Sequence, residues 1–404
     1  MPEGYGLRAV TRTDKRLQVK KQIVKTGIGA LNGLYSLMKL MPQKQRVVIL
    51  SRQANEPSLD IELLTEELES RSIPVRILCD KMGPGIAGAV KYIGPLLRQM
   101  GYLATSKVAV LDSYCIPACV FPHRKGLTVI QMWHALGAMK KFSKSILDKP
   151  EGKSSEIASL MKMHEGYDYI FTSSEKARPA FAEAFGYPPE KLTIMSLPRV
   201  DIIMDRELDR QNRDKIREEF PVLDDGIITD EDLPAARKKC ILYAPTLRIG
   251  KDMTEPVVRL IEAVDTETYN LIISLHPLTE ISYPYALPES VLTDTGYSTT
   301  ELMAVSDYVI TDYSAVTYDA ALKGLPLYFY AFDKDEYMAD REFYLDYDKD
   351  MPGPICLTAE EVIREIEQGD EKAYRKKARD FADLYIEKKE NCTAEIADLV
   401  ESLL

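Results

Sequence analysis

A chain of 404 residues that is 45% hydrophobic has the bulk for two domains of ordinary size, which excludes an intrinsically disordered protein and a small disulfide scaffold. The formal charge is −11, yet residues 1–50 stand at +8, which leaves −19 on the remainder. An acidic body excludes recognition of a nucleic-acid duplex, which needs a basic face. The six cysteines, Cys79, Cys115, Cys119, Cys240, Cys356 and Cys392, show no CxxC spacing, so they read as reduced thiols of a cytoplasmic protein with no metal site.

The chain opens on a basic arm. Met1 to Arg16 is polar and lacks the apolar core of a signal peptide. The uncharged run between Lys25 and Lys39 has thirteen residues, short of the roughly twenty that cross a bilayer. Val24, Ile28, Leu31, Tyr35 and Met38 recur at helical spacing behind Arg12, Lys15, Arg16, Lys20, Lys21 and Lys25. The pattern predicts a basic arm over residues 1–43 whose amphipathic helix either rests on an anionic membrane surface or packs on the body.

After Pro42, β-branched runs alternate with amphipathic segments, which predicts parallel strands linked by helices. Strands are expected at Arg46–Ser51, Val75–Asp80, Val108–Asp112, Thr128–Trp133, Tyr169–Thr172 and Leu192–Leu197, then at Cys240–Pro245, Asn270–His276, Tyr308–Thr311 and Pro326–Tyr330. The polar stretch Asp205–Arg217, followed by Asp224, Asp225 and Gly226, suits a hinge and surface loop. It places domains at 44–203 and 204–404. Ala378, Phe381, Leu384 and Tyr385 form an apolar stripe in a helical tail.

Open α/β sheets bind ligands beyond the carboxyl ends of their strands, so the residues that end each run are informative. His134 follows the fourth run, with Gly137, Lys140 and Lys141 behind it; an imidazole there is either a proton acceptor or a structural histidine. In the second half the strand ends offer Thr246 and Arg248, then His276, then Thr311, Asp312 and Ser314. A helix expected from Ser314 to Gly324 would present free N–H groups to phosphate, unless Asp312 or Ser314 simply caps it. Further cleft candidates are Ser173 and Ser174 before a helix at Glu175, and Arg199, which either holds a phosphate or pairs with Asp201. The acidic cluster Asp333, Asp335 and Glu336 reads as solvated surface.

The segments MWHALGAMKKF, FTSSE, LPRVD, LYAPTLR, SLHP and ITDYSAVTYDAALKGLPLYFYAFDKDEY, together about half the chain, resemble the bacterial CDP-glycerol glycerophosphotransferases and related polyol-phosphate transferases of teichoic acid and capsule synthesis. The resemblance implies an α/β fold of GT-B type, two Rossmann-like domains facing a central cleft, with the N-terminal domain serving the acceptor and the C-terminal domain holding the donor. It implies transfer of glycerol or ribitol phosphate from CDP-glycerol or CDP-ribitol to a hydroxyl of a lipid-linked saccharide or polymer acceptor, with release of CMP and no cofactor. His134 would be the base, and His276 would share in catalysis while binding the donor diphosphate with Thr311, Asp312 and Ser314. Thr246 and Arg248 would line the donor pocket and Arg199 would support it. The family's frequent Trp-His-Gly-Thr reads Trp133-His134-Ala135-Leu136 here, a departure that bears on acceptor or polyol identity. Work at a lipid-linked acceptor implies a cytoplasmic enzyme peripheral on the inner face of the membrane. Two other readings fit the same fold: a GT-B glycosyltransferase using a nucleotide sugar, and a non-catalytic membrane-peripheral assembly protein.

Overall fold

The computed structural model describes residues 12–224 and 237–404, and the side chains of most of residues 12–23 are not described. Residues 1–11, the basic side chains Arg12 to Lys21, and Asp225 and Gly226 of the expected hinge therefore lie outside the described residues.

Twelve strands are described: β1 (Val47–Ser51), β2 (Val75–Cys79), β3 (Val108–Leu111), β4 (Thr128–Gln131), β5 (Tyr169–Thr172), β6 (Leu192–Ile194), β7 (Lys239–Tyr243), β8 (Tyr269–Ile273), β9 (Val291–Thr293), β10 (Tyr308–Thr311), β11 (Leu327–Tyr330) and β12 (Ile355–Cys356). They form two six-stranded sheets with the orders β2-β1-β3-β4-β5-β6 and β12-β11-β10-β7-β8-β9. Pairing is parallel, with Ile49 opposite both Ile77 and Val110, and Ile241 opposite both Leu271 and Tyr308. The central strands Val47–Leu50, Val108–Leu111 and Cys240–Tyr243 are buried on both faces, as all-parallel sheets require.

The described chain divides into two compact units. One holds residues 12–133, 146–170 and 397–404; the other holds 134–145, 171–224 and 237–396. In the first, helix Leu59–Ser70 buries Ile61, Leu64 and Leu68, and helix Ile93–Thr105 buries Met100, Leu103 and Ala104. In the second, helices Thr254–Ala263 and Ala359–Gln368 cover the sheet with Val257, Leu260, Val362 and Ile366. Thr358 and Glu361 close a capping box at the start of the latter, which fixes its register.

Three expectations need correction. The polar stretch at 205–217 is a helix, Arg206–Glu219, because Asp205 accepts hydrogen bonds from the N–H groups of Glu207 and Leu208 and caps it. The helix after β10 spans only Val316–Leu322, since Ser314 Oγ accepts from Val316 N and holds the preceding residues in a turn. In the tail, Ala378, Phe381 and Tyr385 are buried in helix Glu371–Tyr385, whereas Leu384 is half exposed.

The arm forms helix Arg12–Met38. Its expected apolar face turns toward protein: Tyr35 is fully buried, its hydroxyl hydrogen-bonded to His123 Nδ1 at 2.6 Å and its ring beside Phe121. Lys39 Nζ donates to the Pro122 carbonyl. Leu34 and Leu37 on the opposite side, and Leu40 and Met41 in the turn after the helix, are exposed. Among the described residues no helix is long and apolar enough to cross a membrane.

Candidate active site

The site is built in the second unit from the ends of β7, β8 and β10 and from the loop that carries His134. Three anchors fix that loop. Arg199, the first residue of helix Arg199–Met204, donates to the His134 carbonyl at 3.0 Å. Gly137 lies on Tyr318, where an added Cβ would come within 2.3 Å of the ring, so this close approach requires glycine. Residues 139–141 then run antiparallel to 342–344, with Lys140 bridging Phe343 and the Tyr344 N–H donating to the Met139 carbonyl at 2.9 Å.

Successive residues on such a bridge point to opposite sides. Lys141 goes to solvent and pairs with Glu342 at 3.0 Å. Lys140 goes inward, donates to Tyr337 Oη at 3.2 Å and reaches a cavity of about 320 Å³. Thr246, Ser274, His276, Thr299 and Ser314 line the same cavity. Burial pulls the Lys140 pKa down to about 8; Asp312 opposes that shift, while the like charges of Arg341 and Arg248 add to it.

His276 presents a defined edge. Its Nδ1 accepts from the backbone N–H of Leu278 at 3.1 Å, so the neutral ring carries its proton on Nε2 and that nitrogen is a donor. Ser314 uses its oxygen as an acceptor for the turn and keeps its O–H available as a donor. An ammonium, an imidazole N–H and a hydroxyl around one small cavity suit a phosphate or diphosphate.

Beneath the cavity the polar residues serve one another. Asp312 is fully buried and accepts from Thr246 N at 2.8 Å and Thr246 Oγ1 at 2.7 Å. It also pairs with Arg248 Nη1 at 2.8 Å. Arg248 gives Nε and Nη2 to Asp333 at 2.8 and 3.0 Å, and lies among the rings of Tyr313, Phe332 and Tyr337. Burial disfavours its charge, but the two carboxylates outweigh that and raise its pKa.

Several expected roles change accordingly. Asp312 Oδ1 anchors Thr246, and Oδ2 faces the Arg248 guanidinium. Thr311 is buried with its hydroxyl on the Ala244 carbonyl. Arg248 is committed to Asp312 and Asp333, and Asp333 is a buried ion-pair partner rather than solvated surface. Gly137 is a packing residue. Ser173 and Ser174 are buried, and Ser174 Oγ accepts from Ala177 N ahead of helix Arg178–Phe185. Asp201 binds the N–H groups of Cys392 and Thr393, so it does not serve Arg199. Thr246, His276 and Ser314 do gather at one cavity, and Lys140 joins them although the sequence offered no way to separate it from Lys141.

A larger hollow of about 740 Å³ lies beside Arg248 and Phe332. Its charged groups answer one another, as in Lys251 with Glu336 and Arg259 with Glu255, which leaves it less suited to an anion than the smaller cavity. Among the described residues no three His, Cys, Asp or Glu side chains gather as metal ligands.

Comparison with known proteins agrees with this architecture. The chain is 33% identical over 387 residues to a teichoic acid ribitol-phosphate primase of Bacillus spizizenii, covering 93% of this chain and 96% of that one. It is 27% identical to a teichoic acid poly(ribitol-phosphate) polymerase of the same organism, but spans only 56% of that protein's length. The wall teichoic acid polymerase TagF, in a crystal soaked with CDPG, superposes with a TM-score of 0.69 at 20% identity, over 95% of this chain and 97% of that one, and the fold is of GT-B type. Residues 34–401 match the family described as CDP-glycerol:poly(glycerophosphate) glycerophosphotransferase, and the chain belongs to that family of polyol-phosphate transferases.

Proposed function

We propose that this enzyme transfers a polyol phosphate from a CDP-activated donor to a hydroxyl of a lipid-linked teichoic acid acceptor, in the manner of a primase that adds one or a few units. Ribitol phosphate is the first donor to test, because a ribitol-phosphate primase is matched at 33% identity along 96% of its length.

The observation that carries the reading is the cavity shared by Lys140, His276 and Ser314 on the same unit as the His134 loop. Lys140, His276 Nε2–H and the Ser314 hydroxyl hold the donor diphosphate. His134 takes the proton of the attacking acceptor hydroxyl, the new P–O bond forms, and the bond to CMP breaks. Charge that moves onto the phosphoryl oxygens and the departing CMP meets donors already in place. The exposed Leu34 and Leu37 of the first helix, with Leu40 and Met41 of the turn that follows it, rest on an anionic membrane at the cytoplasmic side and bring the enzyme to its acceptor.

The test is CMP release from CDP-ribitol and CDP-glycerol in the presence of a lipid-linked acceptor. His134→Ala is expected to lower turnover by about 10²–10⁴-fold while the donor still binds. Near-normal turnover by the variant would remove His134 from the base role, and stabilisation by UDP- or CMP-sugars in place of CDP-polyols would favour a glycosyltransferase.

A further inference from the structure

The loops after β1 and β3 leave the first sheet on either side of the point where the strand order turns back, since β1 lies between β2 and β3. In open parallel sheets ligands collect at that point. Arg52 stands there. Its backbone N–H donates to Ser113 Oγ at 3.0 Å, and its Nη1 donates to the Tyr114 carbonyl at 3.1 Å. The guanidinium lies 5.5 Å from the Tyr92 ring centroid and 5.8 Å from that of Tyr114. Nη2 meets only the Met82 sulfur, at 3.9 Å, and Nε is buried with no acceptor in reach.

A second cation joins it. Lys153 Nζ is 5.4 Å from the same Tyr114 ring, and desolvation followed by the like charge of Arg52 lowers its pKa. Among the described residues no carboxylate pairs with Arg52 or Lys153. The one carboxylate at the end of β3, Asp112, is buried and accepts the Ser51 hydroxyl at 2.8 Å. Aromatic rings continue the surface: His164 lies 5.4 Å from Tyr114, and Trp133 lies 5.9 Å from His164. Trp133 has φ = 65°, a conformation that a bulky residue keeps only where its surroundings enforce it.

Two converging cations with idle N–H donors and no counter-charge are costly to hold together unless an anion comes to them. An arginine flanked by rings offers a fixed fork for phosphate, and the rings offer flat apolar faces to a sugar or polyol. We propose that Arg52 and Lys153 form an acceptor subsite that grips a phosphate-ester anion of the acceptor, with Tyr114 packed against the adjoining saccharide or polyol. This rests on the transferase reading above. The anion is either the diphosphate that joins saccharide to lipid or a polyol phosphate already attached to it.

Full-length wild type, Arg52→Gln, Arg52→Lys and Lys153→Gln would be compared by two measurements. Steady-state transfer would give acceptor and donor KM values. Quenching of Trp133, the only tryptophan in the chain, would report direct binding of short-chain acceptor analogues. Three analogues would be titrated: one with the lipid diphosphate alone, one that also bears a polyol phosphate, and a phosphate-free saccharide. Arg52→Gln is expected to raise the acceptor KM at least tenfold, Lys153→Gln about threefold, and Arg52→Lys less than Arg52→Gln, with the donor KM unchanged. The phosphate-free saccharide should not distinguish wild type from variants, and whichever phosphate analogue does identifies the group that is gripped. Acceptor KM and quenching within twofold of wild type in Lys153→Gln, an exposed position, together with Arg52→Gln, would overturn the subsite; if Arg52→Gln does not fold, Lys153→Gln decides. Should wild type transfer nothing from any CDP-polyol while phosphate-dependent, Arg52-dependent quenching persists, the subsite stands and the transferase reading falls.

Discussion

Two arginines follow the two central strands β1 and β7, and they live in opposite circumstances. Arg248 is clamped by Asp312 and Asp333 and shut among rings, whereas Arg52 has comparable aromatic flanks and no carboxylate. A buried cation with two buried anions is part of the frame; a cation with idle donors at a strand end is available to a ligand. Position in the fold is shared, so the partners decide the role.

The comparison can be broken at several strengths. Asp312→Ala removes one side of a buried pair and should cost about 3–5 kcal/mol. That corresponds to a melting-point drop on the order of 10 °C by calorimetry, while Arg52→Gln should leave the melting point nearly unchanged. Equal losses would erase the distinction between frame and ligand site.

Lys140 sharpens it further. With a pKa near 8 its amine is charged below that pH and neutral above it, so kcat/KM for the CDP donor should fall as pH rises from 7 to 9, by up to roughly tenfold. Lys140→Gln should be low throughout and lack this limb. The stability sign is opposite: a lysine whose folded pKa lies below its ordinary 10.5 destabilises the fold at neutral pH, and that penalty is relieved as pH rises from about 8 toward 10.5. The smallest effect is expected at the arm, where Leu37→Asp with Leu40→Asp should weaken co-sedimentation with anionic vesicles a few-fold and leave turnover on soluble acceptors unaltered; unchanged sedimentation would point to another membrane-facing surface.

The central strands were legible because they are buried on both faces and write continuous β-branched runs, and Tyr169–Thr172 and Tyr308–Thr311 have the bounds expected. The edge strands β9 and β12, with three and two residues, leave no such trace. Helix Arg206–Glu219 is too polar to show an apolar stripe and is specified by its cap. In the site, the strand ends could be singled out by residue type, and Thr246, His276 and Ser314 share one cavity. Their orientation was hidden, because it depends on partners far along the chain: Asp312 meets Thr246 across 66 residues, and Arg248 meets Asp333 across 85. Lys140 was hidden for the same reason, since only its pairing with Phe343 turns it inward.

Residues 397–404 return to the first unit, where Asp398 and Glu401 pair with Arg71 at 2.5 and 3.1 Å. Most of the second unit is therefore threaded as a guest between two stretches of its host, residues 146–170 and 397–404. Limited proteolysis that clips between residues 385 and 392 would free a short helical piece that the host must retain by side-chain contact alone, and a fragment that stops near residue 203 would be born without it. Complementation of such a fragment by a synthetic peptide of the last dozen residues would read out how much of the host's integrity arrives only once the ribosome has finished the guest.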